Sequence, residues 1–113
     1  MAASELTPLE SAALARVLSV HADLPSLDTL RVRSRENTGV GRYTEMGWPE
    51  GPTREDVVIA PPLLIEMEGV DPTGMSALLF VRPESLTLEL FTFVGDWDGI
   101  ERPWTIKEPA DDR

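Results

Sequence analysis

The sequence of 113 residues has no cysteine, one histidine (His21), one lysine (Lys107) and one tyrosine (Tyr43). Without cysteine there is no disulfide framework, thiol nucleophile, thiolate zinc site or iron–sulfur cluster, and nothing calls for an oxidising compartment. A lone imidazole means that any Ser-His-Asp mechanism would have to run through His21. Its place on an apolar stripe near a helix end favours packing and interaction with the helix dipole instead. No catalytic residue, metal ligand or cofactor is assigned. Cations are scarce: 10 Lys plus Arg stand against 20 Asp plus Glu, a formal charge of −10. Such a chain repels phosphate backbones and anionic lipid, which need neutralisation by Lys and Arg, so nucleic acid and membrane surfaces are disfavoured as partners. Long apolar runs are also missing. Leu78-Leu79-Phe80-Val81 is too short to span a bilayer, and Met1-Ala2-Ala3-Ser4-Glu5 lacks the cationic start and apolar run of a signal peptide. The expected address is cytoplasmic.

What is present is an ordinary globular composition, 42% apolar and 27% charged, which predicts a single domain over residues 1–113. Thr7-Pro8-Leu9-Glu10 reads as a helix start, with Thr7 as cap, Pro8 at the first helical position and Glu10 completing a capping box. The spacing of Leu14, Val17, Leu18 and His21 predicts a helix over roughly 8–21 with one buried stripe. After Leu30 the pattern alternates, and Gly and Pro punctuate a series of strands. These run over Leu30 to Ser34, Gly39 to Met46, Leu63 to Glu68, Met75 to Val81 and Leu86 to Val94, with a short extended piece from Val57 to Ala60. The acidic tail from about residue 95 is expected to be loop-like. The expected fold is α+β, an N-terminal helix packed on a mostly antiparallel sheet of about five strands.

Two apparent motifs fail on spacing. Asp96-Trp97-Asp98-Gly99 opens like a calcium loop, but its glycine is fourth rather than sixth and the twelfth residue is Lys107. Gly39-Val40-Gly41 lacks the third glycine of a dinucleotide fingerprint, because position 44 is Thr44, and it reads as a bulge or a tight packing site. Two charged groups remain. Arg31, Arg33 and Arg35, spaced i, i+2, i+4, would share one strand face, with Arg42 extending the stripe from the next strand. They are the candidate anion site, set against plain pairing with Glu36, Glu45, Glu66 or Glu68. Glu66 and Glu68, with Asp96 and Asp98 in the tail and Trp97 as an aromatic anchor, are the candidate surface for a basic partner. Trp48 and Trp104 are further anchor candidates. Phe91 and Phe93, two residues apart on one strand, would face outward and offer a homodimer contact.

Arg35-Glu36-Asn37-Thr38-Gly39-Val40-Gly41 with Tyr43-Thr44, and Gly74 through Leu79-Phe80-Val81-Arg82 with Leu86-Thr87-Leu88-Glu89-Leu90-Phe91-Thr92, resemble a family of small uncharacterised bacterial proteins. Arg42 stands where that pattern has an aromatic residue, and Met75-Ser76 where it has glycine and an aromatic. The resemblance implies no activity; it implies that Arg35, Thr38, Gly39 and Gly41 form a strand junction. In type, a small, acidic, cysteine-free domain also resembles immunity proteins, which block a basic toxin site by charge mimicry. The expected function is accordingly a non-catalytic binding protein, of immunity type, that docks a basic, toxin-like partner through Glu66, Glu68, Asp96, Trp97 and Asp98. The alternatives are an anionic-ligand or enzyme-like domain using Arg31, Arg33, Arg35 and Arg42, and a homodimeric structural domain.

Overall fold

A computed structural model of the chain describes residues 6–18, 29–47, 57–60, 63–83 and 85–107. Helix α1 spans Pro8–Leu18. Its start is the predicted capping box: the Thr7 hydroxyl accepts from the Glu10 N–H at 3.1 Å, and the Glu10 carboxylate accepts from the Thr7 N–H at 2.9 Å. The expected continuation of the helix through 19–21, His21 included, lies outside the described residues.

Seven strands follow, β1 (Arg31–Asn37), β2 (Gly41–Gly47), β3 (Val57–Ile59), β4 (Leu64–Met67), β5 (Met75–Val81), β6 (Ser85–Thr92) and β7 (Trp104–Lys107). They form one antiparallel sheet in the order β1-β2-β6-β5-β4-β7, with β3 also pairing β5. β3 and β4 lie along the same edge of β5, Val57–Ile59 opposite Leu79–Val81 and Ile65 opposite Met75. The expected helix on about five strands is therefore corrected: the described residues are mostly β, with one helix and a seven-stranded antiparallel sheet. Of the two further strands, β3 is the piece read as a short extended segment, and β7 comes from the tail taken to be loop-like, whose Trp-Thr-Ile-Lys segment pairs with β4. Four alternating residues behind Pro103 are too short a signal to outweigh the polar residues around them.

The period-2 pattern places the core. Met75, Ala77, Leu79 and Val81 of β5 and Leu86, Leu88 and Leu90 of β6 are buried, with Ser76, Leu78, Phe80, Thr87, Glu89 and Phe91 between them half-buried on the other side. Leu9, Ala13, Leu14 and Val17 of α1 join that core, as do Ile65, Met67 and Trp97. Removing any one of the buried leucines to alanine would cost about 2–5 kcal/mol. Thr38-Gly39-Val40-Gly41 is the β1–β2 turn, with Gly39 at φ 91°, and the Thr38 N–H donates to the Gly41 carbonyl at 2.9 Å. A side chain on Gly41 would strike the Leu90 carbonyl of β6, so the junction is also a close approach between strands.

Candidate functional site

The four arginines expected to line one face do not. β1 pairs with β2 through Val32↔Met46 and then Ser34↔Glu45, so the chain bulges at Arg33. One extra residue reverses the alternation. Val32 and Arg35 consequently lie with Met46 and Thr44 on the core face, whereas Arg31 and Ser34 lie with Gly47 and Glu45 on the outer one. Arg31 donates to the Leu30 carbonyl at 2.9 Å, and Arg33 sits 3.9 Å from Glu45 in an exposed pair.

Arg35 and Arg42 turn inward onto Glu10, which is fully buried. Arg35 forks onto it through Nε and Nη2 at 2.9 and 2.7 Å. Arg42 reaches it at 2.9 Å and the Thr44 hydroxyl donates to it at 2.7 Å. Arg42 also donates to Glu101 at 2.6 Å and to the Gly99 carbonyl at 2.9 Å, and its guanidinium lies 5.2 Å over the Trp97 ring. Burial by itself would raise the Glu10 pKa, but the Arg35, Thr7 and Thr44 hydrogen bonds and the Arg42 charge together hold it below the ordinary value. The arrangement ties α1, β1, β2 and the loop before β7 together through charge-assisted hydrogen bonds. It is a structural clasp whose cations are already engaged. Only the Thr7–Glu10 box was readable in the sequence; the arginine partners lie 25 and 32 residues away.

Trp97, expected as an exposed anchor, is 2% exposed, and its indole N–H donates to the Ile100 carbonyl at 2.8 Å. Asp98 is held by Arg102 through two contacts of 3.1 and 2.8 Å, and the Arg102 hydrogen bond lowers its pKa to about 2. Asp96 is exposed. Trp48 and the acids after residue 107 lie outside the described residues.

The two acidic groups nevertheless meet. A groove of about 570 Å³ runs between the end of β4 with its following turn and the start of β7, lined by Glu66, Glu68, Asp71 and Trp104 among others. Gly69 borders both this groove and a smaller hollow that carries Asp96 and Asp98. Among the described residues the groove's lining includes no lysine or arginine; the nearby cations are Lys107, 3.1 Å from Glu66, and Arg102, whose side chain packs against Gly69. Asp71 accepts from the N–H and hydroxyl of Thr73, which lowers its pKa. Trp104 is half-buried on the groove wall. Asp71 is a carboxylate of the groove that the sequence does not single out. Among the described residues no group of three or more His, Asp or Glu side chains is placed to hold a metal ion.

The outer face of the sheet carries Tyr43 and Phe80 with ring centres 6.4 Å apart, and Phe91 and Phe93 edge-to-face at 5.7 Å. Phe91 is half-buried and Phe93 is 53% exposed. Comparison of the chain with protein-family models, curated proteins and solved structures finds no match.

Proposed function

We propose that the chain is a non-catalytic binding protein that docks a basic partner protein, an immunity-type inhibitor being the form of that role its charge best suits. The observation that carries this reading is the groove of Glu66, Glu68 and Asp71, three carboxylates with no cation among the described residues of the lining and a half-buried tryptophan on its wall. In a molecule of formal charge −10, such a groove draws cationic surfaces from a distance and aligns them on contact. The docking surface is therefore Glu66, Glu68, Asp71 and Trp104 with Asp96 beside them, rather than Trp97 and Asp98, which are committed within the fold. The arginine alternative loses support because Arg35 and Arg42 hold Glu10 and the bulge separates them from Arg31 and Arg33.

The test is capture from a lysate of the source organism at low salt, with wild-type protein and the Glu66→Lys/Glu68→Lys variant run in parallel. A basic protein retained by the wild type, released by a salt step and lost by the variant is the expected result. Retention of the same proteins by both would overturn the reading. A second reading, a homodimer through the outer face, is favoured by the half-buried Phe91 and exposed Phe93. Phe91→Glu would then elute later than the wild type in size exclusion; an unchanged elution volume would end that idea.

A further inference from the structure

β7 closes the sheet on one side, and its outer edge pairs with no described strand. The Glu68 N–H donates to the Pro103 carbonyl at 3.0 Å, and the pairs Glu66↔Thr105 and Leu64↔Lys107 continue that register. Alternation along an antiparallel ladder then aims the backbone groups of Pro103, Thr105 and Lys107 at β4. Those of Trp104 and Ile106 point away from the sheet. The opposite edge, β1, is blunted by a bulge and by exposed Arg31, Arg33 and Glu36, devices that discourage strand addition. β7 has neither a bulge nor a proline; Trp104, Thr105 and Ile106 favour extended backbone, and its single charge, Lys107, lies 3.1 Å from Glu66.

We infer that β7 accepts an extended, basic segment of the partner as an added strand, hydrogen-bonded to Trp104 and Ile106, with cationic side chains reaching into the groove of Glu66, Glu68 and Asp71. This rests on the proposed docking of a basic partner and adds how that docking is made. Strand addition supplies main-chain hydrogen bonds that do not depend on sequence, while the neighbouring groove selects side chains. Charge complementarity decides the occupant. A second copy of this chain would bring two molecules of formal charge −10 together, with the same three carboxylates beside the shared edge. A segment rich in arginine or lysine meets Glu68 and Asp71, which have no cationic partner among the described residues.

The probe is a labelled decapeptide of alternating arginine and valine, added to the full chain in low salt. Binding is read by fluorescence anisotropy, and hydrogen exchange is followed at the Trp104 and Ile106 amides. Anisotropy should rise on titration, fall back with salt and be weakened at least tenfold by Glu66→Lys/Glu68→Lys. Exchange at both amides should slow at least tenfold in the complex, with β1 amides unchanged. A peptide that binds with salt sensitivity but leaves the two amides exchanging as before overturns strand addition and leaves the acidic groove as a docking site. Protection of both amides in the free protein that grows with its concentration overturns it as well, because a second copy then holds the edge. Failure of the peptide to bind, while a basic partner is captured in the manner described above, removes the strand-addition idea alone.

Discussion

At the scale of single residues, Glu10 has the most depending on it. It closes the first turn of α1 and also receives Arg35, Arg42 and Thr44, so its loss strips a cap and leaves two arginines facing a neutral group. Glu10→Gln is expected to lower stability by about 3 kcal/mol, the range seen when one member of a buried ion pair is removed, measured as a fall in the urea midpoint. Glu101→Gln, which leaves Arg42 bound to Glu10, should cost only about 1 kcal/mol. The pH dependence has a definite sign. The folded pKa of Glu10 lies below its ordinary value of 4.5, so the unfolded chain takes up its proton first. The stabilisation is complete above that ordinary value and is lost as pH falls through the folded one. Wild-type protein should weaken with acid below about pH 4.5 more steeply than Glu10→Gln; parallel acid profiles would refute the assignment. The capping box was legible because Thr7 and Glu10 are three apart. The arginines were misread because their even spacing looks like a regular strand, and no sequence signal marks the bulge that sends Arg35 inward and leaves Arg33 outside.

At the scale of elements, the glycine turn and the last strand separate what patterning reveals from what pairing decides. The alternation of β5 and β6 is complete and was readable at once, because eight buried residues, seven of them apolar, repeat at period two along the two strands. β7 was not, because four residues acquire strand character only from the β4 edge beside them. Gly39 and Gly41 were both identified as junction residues, yet for different reasons. Gly39→Ala places a side chain at φ 91° with nothing nearby to strike, and should cost about 1–2 kcal/mol. Gly41→Ala drives a methyl group into the Leu90 backbone and requires β2 to separate from β6. Thermal denaturation should show the larger loss for Gly41→Ala; equal losses would mean that β2 and β6 part easily.

At the scale of the whole molecule, the extents of 39 × 39 × 21 Å describe a slab, and the groove carboxylates Glu66, Glu68 and Asp71 take no part in the Glu10 clasp. Neutralising the groove should therefore alter association more than stability. Glu66→Gln/Glu68→Gln is expected to shift the urea midpoint by no more than about 0.5 kcal/mol equivalent, as exposed charges do, while reducing the salt dependence of partner capture. A large loss of stability would place these carboxylates among the fold's supports instead. The clasp has a different global meaning. α1 is held by Leu9, Ala13, Leu14 and Val17 in the core and by Glu10 in the clasp, since helices in proteins owe most of their stability to tertiary contacts. Released from those contacts, it would unravel instead of swinging away as a formed rod. The sheet's arginines thus share with the core the hold on α1, and fix the end of it that carries the cap. The amides of Ala12 to Leu14, far along the chain from either arginine, would become the earliest reporters of local opening when Arg42 is replaced.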